Sequence, residues 1–153
     1  MTTHTETLEL PFPASDLFDL VADVRRYPEF ITWMQTLHVS DVSQGEGYER
    51  CRAEARVGFK GFNETFVTDV VAWRHRLAID VSLVRGPFRK LRNTWRFIPI
   101  EGGTRVEFMI TFEFRNFVLQ TLADVNRVHA VRRVMEAFTQ EAKRQSASKM
   151  ETD

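Results

Sequence analysis

The stretch from Thr104 to Ala142 constrains the fold more tightly than any other part of this chain, because its hydrophobic period changes once and abruptly. Val106, Phe108, Ile110, Phe112 and Phe114 alternate with Arg105, Glu107, Met109, Thr111, Glu113 and Arg115, the period of two expected of a strand with one buried face. From Val118 the apolar positions are Leu122, Val125, Val128, Val131, Met135, Phe138 and Ala142, stepping by three or four as on one stripe of a helix. An aromatic strand therefore runs into a long C-terminal helix that needs a large apolar partner. The sheet is the natural partner, and a sheet curved over one long helix can enclose a hydrophobic ligand.

The rest of the chain supplies that sheet. Residues 3–10 read as a first strand, which Pro11-Phe12-Pro13 stops. Ser15 is placed to cap a short helix through Leu17, Phe18, Leu20, Val21 and Val24, with Asp16 suited to its dipole. Pro28 ends or interrupts the run begun by Arg25, Arg26 and Tyr27, leaving a second short helix or turn around Glu29, Phe30 and Trp33. Strands are expected over about 37–43, 48–59, 62–73, 77–84, 90–99 and 104–115, with turns at Gly45 and Gly47, Gly58 and Gly61, Gly86-Pro87 and Gly102-Gly103. The sum is one α+β domain spanning 1–153, ordered over about 3–143, with helices gathered on one face of an antiparallel sheet. The polar tail from Lys143 to Asp153 is expected to fray.

At 43% hydrophobic, the 153 residues have material for a real core. Twenty-one basic and twenty-one acidic residues balance, so no whole-protein field draws the chain to DNA, RNA or anionic lipid. Cys51 is the one cysteine, and His4, His38, His75 and His129 are scattered, which argues against a disulfide within the chain and against a metal site. No apolar run is long enough to span a bilayer, and the N-terminus has neither signal-peptide order nor room for an Arg-rich transit peptide. The expected setting is bacterial cytoplasm, with peripheral contact at the inner membrane allowed, or a processed organellar protein.

Thirteen Phe and three Trp are explained first as core. Their distribution adds a second reading. Cys51, Ala53, Ala55 and Val57 make one small-residue wall, while Phe66, Trp95, Phe97, Phe108 and Phe112 face it. Small against large leaves a cavity or packs complementarily at normal density. Alternation also turns Glu64 inward beside Phe62, Phe66 and Val70, and Asn93 inward beside Leu91, Trp95 and Phe97. Each needs a hydrogen-bond partner, either from a local bulge or the backbone or at the polar end of a cavity. Gly86-Pro87-Phe88 reads as a rigid turn with an exposed ring, and Tyr27, Pro28, Phe30 and Trp33 as a second aromatic cluster. Together Tyr27, Phe30, Trp33, Pro87 and Phe88 form a portal or membrane lip, flanked by Arg85, Arg89, Lys90 and Arg92, or else an ordinary turn and a helix–sheet staple.

Three phrases in order carry a family resemblance: Asp23-Val24-Arg25-Arg26-Tyr27-Pro28-Glu29-Phe30; Gly86-Pro87-Phe88 with Leu91 and Trp95-Arg96-Phe97; and Phe112-Glu113-Phe114-Arg115-Asn116. Val57-Gly58-Phe59 and Glu64-Thr65-Phe66 support them. The chain resembles the polyketide cyclase/dehydrase group of START-like, helix-grip proteins, and within it the branch of coenzyme Q binding proteins and ribosome-association toxin homologues. The resemblance implies a seven-stranded antiparallel sheet wrapped around the C-terminal helix (START/Bet v 1-like) with an elongated cavity. It further implies a bound polyprenyl quinone, ubiquinone, delivered to respiration or supporting its synthesis, and no catalytic set or cofactor. The charged C-terminal run departs from the short Tyr-Gly-type ending of that branch.

On this reading the ligand is lined by Phe59, Glu64, Phe66 and Leu83, then Asn93, Trp95 and Phe97, then Phe108 and Phe112, and on the helix by Leu122 and Val125. The leading expectation is a non-enzymatic carrier of an isoprenoid quinone. A ribosome-binding regulator that contacts the large subunit is the alternative, and the basic helical edge of Arg127, Arg132, Arg133, Lys143 and Arg144 is the feature that suits it. A polyketide-type aromatase or cyclase is the third, for which inward ionisable groups are few. His129, beside the helical stripe, is either a general base facing the cavity or a cap at the stripe's edge.

Overall fold

The computed structural model describes residues 1–59 and 62–152. Strand β1 (Thr2–Leu10) alternates exposed Thr3, Thr5, Thr7 and Glu9 with half-buried Thr2, His4, Glu6, Leu8 and Leu10, so one face looks inward from the first residues. Helix α1 (Ala14–Ala22) begins two residues earlier than expected. Pro13, in extended backbone, stands at its N-cap with no capping side chain, and Ser15 lies inside the helix. The ring of Pro13 already sets the conformation that a Ser cap would select. Ala14, Leu17, Phe18, Leu20 and Val21 are buried. A 3-10 turn over Val24–Arg26 leads to α2 (Tyr27–Phe30), where Pro28 sits in the first turn and so starts this helix rather than ending one.

The sheet is completed by β2 (Met34–Gly45), β3 (Tyr48–Phe59), β4 (Phe62–Trp73), β5 (Ala78–Arg85), β6 (Phe88–Ile100) and β7 (Gly103–Phe114). With β1 they form one antiparallel seven-stranded sheet in the order β1-β7-β6-β5-β4-β3-β2. Neighbours in sequence pair as hairpins, while β1 closes against β7, so the α1–α2 connection carries the chain from one sheet edge to the other. β2 begins three residues before its expected start and is irregular between Ser40 and Ser43, where Asp41 takes a positive φ of 51°, a conformation aspartate tolerates. Gly58 is not a turn residue: it pairs with Asn63, and its N–H donates to the Trp33 carbonyl at 2.9 Å. The turn expected at Gly61 lies outside the described residues.

Two contacts pin β7 to the β1–α1 connection. A Cβ on Gly103 would sit 2.0 Å from the Leu10 carbonyl oxygen, so only glycine fits there. Beside it Thr104, fully buried, donates its hydroxyl to the Phe12 carbonyl at 2.7 Å. Thr104→Val keeps the shape and orphans that carbonyl, and is expected to lower stability by ~1–3 kcal/mol in urea unfolding.

Helix α3 (Phe117–Thr152) is capped by Asn116, whose Oδ1 accepts from the Val118 and Leu119 amides at 2.8 and 3.2 Å. Past Lys143, where the sequence predicts a frayed tail, the helix is continuous. Ala142 is buried, the helix runs on to Thr152, and Lys149 pairs with Asp16 of α1 at 3.2 Å. Straight-chain residues with good helix propensity fill this tail and let the helix continue past its last apolar turn.

Candidate functional site: the interior under the long helix

The inner face of the sheet carries two apolar clusters, one under each half of α3. The larger joins Trp95, Phe97 and Phe108 to α1 and to Val131, Met135, Phe138 and Ala142 of α3. Phe138 is its hub, with ring centroids 5.2 Å from Tyr27, 5.3 Å from Phe30 and 5.1 Å from Trp95, all edge-on. The smaller unites Phe88, Leu91, Phe112 and Phe114, with Phe66, Leu83, Leu119 and Ala123 packed against it.

The seam between them is polar. On β6, Asn93 lies between Leu91 and Trp95, in register with Val81 on one side and Ile110 on the other. Its amide donates to the Met109 carbonyl at 2.8 Å and its oxygen accepts the Trp95 indole N–H at 2.8 Å. The inward turn of Asn93 is therefore met by the backbone and a neighbour. On α3 the corresponding position is Arg127, one turn beyond Ala123 and one before Val131. Its Nε is buried and has no hydrogen-bond partner among the described residues. Arg127 belongs to the inner face, not to the basic outer edge expected of it. The spacing 123-127-131 in the sequence carries that information.

Sequence reasoning also missed His4 and Glu6, which face inward on β1 and hydrogen bond at 2.9 Å; the alternation of β1 places both there. Glu64 shares the inner face with Phe66 and is half-buried opposite Val57. Trp95, Phe97, Phe108 and Phe112 are buried as expected, and Leu83 packs into the smaller cluster. The Phe59 ring lies outside the described residues.

The helical half of the expected lining is corrected. Leu122 and Val125 are 46% and 78% exposed, on the outer face of α3. The apolar steps Leu122, Val125, Val128 and Val131 each advance by three, so each falls short of a full turn. Nine residues separate Leu122 from Val131, two and a half turns, which puts them on opposite sides of the helix. The single stripe is thus two stripes. His129 is on the outer side and exposed, so it faces no cavity.

The aromatic lip is corrected as well. Tyr27, Phe30 and Trp33 pack against the larger cluster, and Phe88 is buried in the smaller one. Pro87 is half-buried, in a turn whose carbonyl accepts the Arg115 amide at 2.9 Å. The Tyr27 hydroxyl donates to the Val21 carbonyl; burial, and secondarily Asp23, pushes its pKa far above that of a free phenol. Burial likewise pushes the Cys51 thiol up, which makes it a poor nucleophile. Among the described residues no three His, Cys, Asp or Glu side chains group to hold a metal.

An apolar cavity of about 20 Å³ between α1, β1 and α3, bounded by Leu8, Leu10, Leu17, Trp95, Met135 and Phe138, has room for about one water. Small residues on β3 opposite the large ones are complementary packing. The N-terminal half of α3 rests on the smaller cluster through Leu119 and Ala123 and is also held by polar contacts. Gln120 bonds the Phe114 amide at 2.7 Å and Thr2 at 3.1 Å, and Thr2 donates to Asp124.

A seven-stranded antiparallel sheet closed by one long C-terminal helix, with an apolar interior between them, is the START-like helix grip. Residues 10–139 match the polyketide cyclase / dehydrase and lipid transport family, and the chain belongs to it. It is 32% identical over 145 residues to the ribosome association toxin RatA of Pseudomonas aeruginosa, covering 94% of this chain and 97% of that one. It is 28% identical over 145 residues to coenzyme Q-binding protein COQ10 homolog B, mitochondrial, of Xenopus laevis, covering 92% of this chain and 58% of that protein. Among solved structures, the 18 kDa protein CC1736 of Caulobacter crescentus superposes with a TM-score of 0.83 at 35% identity, over 96% of this chain and 99% of that one. No helix among the described residues is long and apolar enough to cross a membrane.

Proposed function

We propose that the protein is a non-enzymatic carrier that takes a polyprenyl quinone, ubiquinone, between α3 and the sheet and hands it over at a membrane. The observation that carries this reading is the seam. Arg127 holds a buried donor with no partner among the described residues, between two apolar clusters that an isoprenoid tail would contact. A quinone carbonyl is an acceptor of the right kind for that donor, and leaving a buried donor unmet costs about 1–3 kcal/mol. The likeness to a protein named for coenzyme Q binding supports the choice of ligand. Entry requires the N-terminal half of α3 to lift, and the burial of tail carbons at roughly 25 cal/mol per Å² drives it. The test is titration with a short-tailed ubiquinone, read as quenching of Trp95 in a variant with Trp33 and Trp73 replaced by Phe. Saturable, stoichiometric quenching is expected, and no saturable quenching would refute the reading.

A second reading, a regulator that associates with ribosomes, is favoured by the likeness to RatA over nearly the whole of both chains. Co-sedimentation with large ribosomal subunits that is lost at high salt distinguishes it. An aromatase or cyclase activity would draw on the His4–Glu6 contact as its acid and base, and turnover of a model poly-ketone would be its signature.

A further inference from the structure

The outer side of α3's N-terminal half is apolar and uncovered. Phe117 is 82% exposed, Val118 63%, Leu122 46%, Val125 78% and Val128 42%, and Val118, Leu122 and Val125 lie in one row along the helix. A stripe of this kind on a monomer marks a surface that meets something apolar. Its surroundings are basic. Exposed Arg115 precedes it, with its guanidinium donating to the Phe88 carbonyl at 3.2 Å, which ties the start of β6 and its exposed Arg89 and Lys90 to the helix start. Arg132 and Arg133 lie beyond its far end, the latter over the Trp33 ring at 4.9 Å.

Carboxylates near the stripe are few and engaged elsewhere. Asp124 turns to Thr2 of β1 and to Gln120 one turn back on its own helix, and Glu113 pairs with the N-terminal amine at 3.6 Å. The next along the outer face is Glu136, beyond both arginines. Apolar side chains between two basic groups complement an anionic phospholipid surface, where rings and aliphatic chains enter the acyl boundary and arginines meet phosphates. A second copy of the chain fits worse. A stable dimer needs about 800 Å² from each partner, more than one helical stripe offers, and antiparallel two-fold pairing centred on Leu122 would set Arg132 and Arg133 near the basic Arg115 end of the other copy.

We propose that the N-terminal half of α3, through Phe117, Val118, Leu122 and Val125, docks on an anionic phospholipid bilayer. This deepens the carrier reading, from which it takes its purpose. The helix that must lift to admit a lipid tail is the one laid against the membrane.

The test uses vesicles without quinone, so that it succeeds or fails apart from quinone binding. The full chain is floated with vesicles of phosphatidylcholine alone and of equimolar phosphatidylcholine and phosphatidylglycerol, at low and high salt. Binding to the anionic vesicles, released by salt, is expected. The double variant Leu122→Glu with Val125→Glu should lower the bound fraction about tenfold, since a carboxylate at this depth opposes insertion. Val42→Glu, at an exposed apolar site on β2, should leave it unchanged. Both variants change exposed positions, and circular dichroism verifies their fold. Equal binding to both vesicle types, no binding, or undiminished binding of the double variant would overturn the proposal, as would a dimer that the double variant dissolves in a chain that binds no vesicles.

Discussion

Phe138→Ala is expected to destabilise the protein by ~3–5 kcal/mol, the range for removing a buried aromatic ring. Phe138 is 7% exposed and touches Tyr27, Phe30 and Trp95 with ring edges, so it is the point at which α3, α2 and β6 meet. Its loss opens a void that none of the three rings can fill without leaving its own place. It also removes the anchor of the C-terminal half of α3, the half that stays on the sheet when the N-terminal half lifts in the carrier reading. Urea unfolding followed by far-ultraviolet circular dichroism measures the effect. A loss below about 1 kcal/mol would mean that the site collapses freely and that this half of the helix is not the anchor.

Asn93→Leu is the second large effect. It removes the donor to the Met109 carbonyl and the acceptor of the Trp95 indole N–H together, leaving two groups unmet in an apolar surround. A cost of ~2–4 kcal/mol is expected. Adding Trp95→Phe removes one of the unmet groups. The double variant should therefore lose less than the two single losses combined, with a coupling of about 1 kcal/mol. Strict additivity in the unfolding midpoints would show that the indole bond contributes nothing. Because both of these contacts of Asn93 are structural, a change in quinone affinity in this variant is interpretable only alongside its stability.

Most of the fold was legible in residue order. Alternation in 104–115 and turn glycines spaced along the middle of the chain located six strands to within a few residues, because each strand has one buried face and period two is unambiguous over that length. The site was legible in part. Strand-borne residues such as Trp95, Phe97, Phe108 and Phe112 point inward as alternation requires. The helix misled for a geometric reason: three consecutive steps of three walk the apolar row halfway around, so Leu122 and Val125 oppose Val131. Read at 3.6 residues per turn, the same sequence puts Arg127 inside and Val118, Leu122 and Val125 outside. The packing of Tyr27 and Phe30 on the core and the burial of Phe88 were not legible, because an aromatic near an element's end covers its own core or meets solvent according to tertiary contacts that no local pattern records.

The most direct test of the carrier reading is native mass spectrometry of the protein purified from a ubiquinone-producing host, with organic extraction of the same sample. A mass increment matching one ubiquinone per chain, and the same quinone in the extract, is predicted. A chain that flies without added mass and yields no quinone, yet co-sediments with ribosomes from that host, would contradict it.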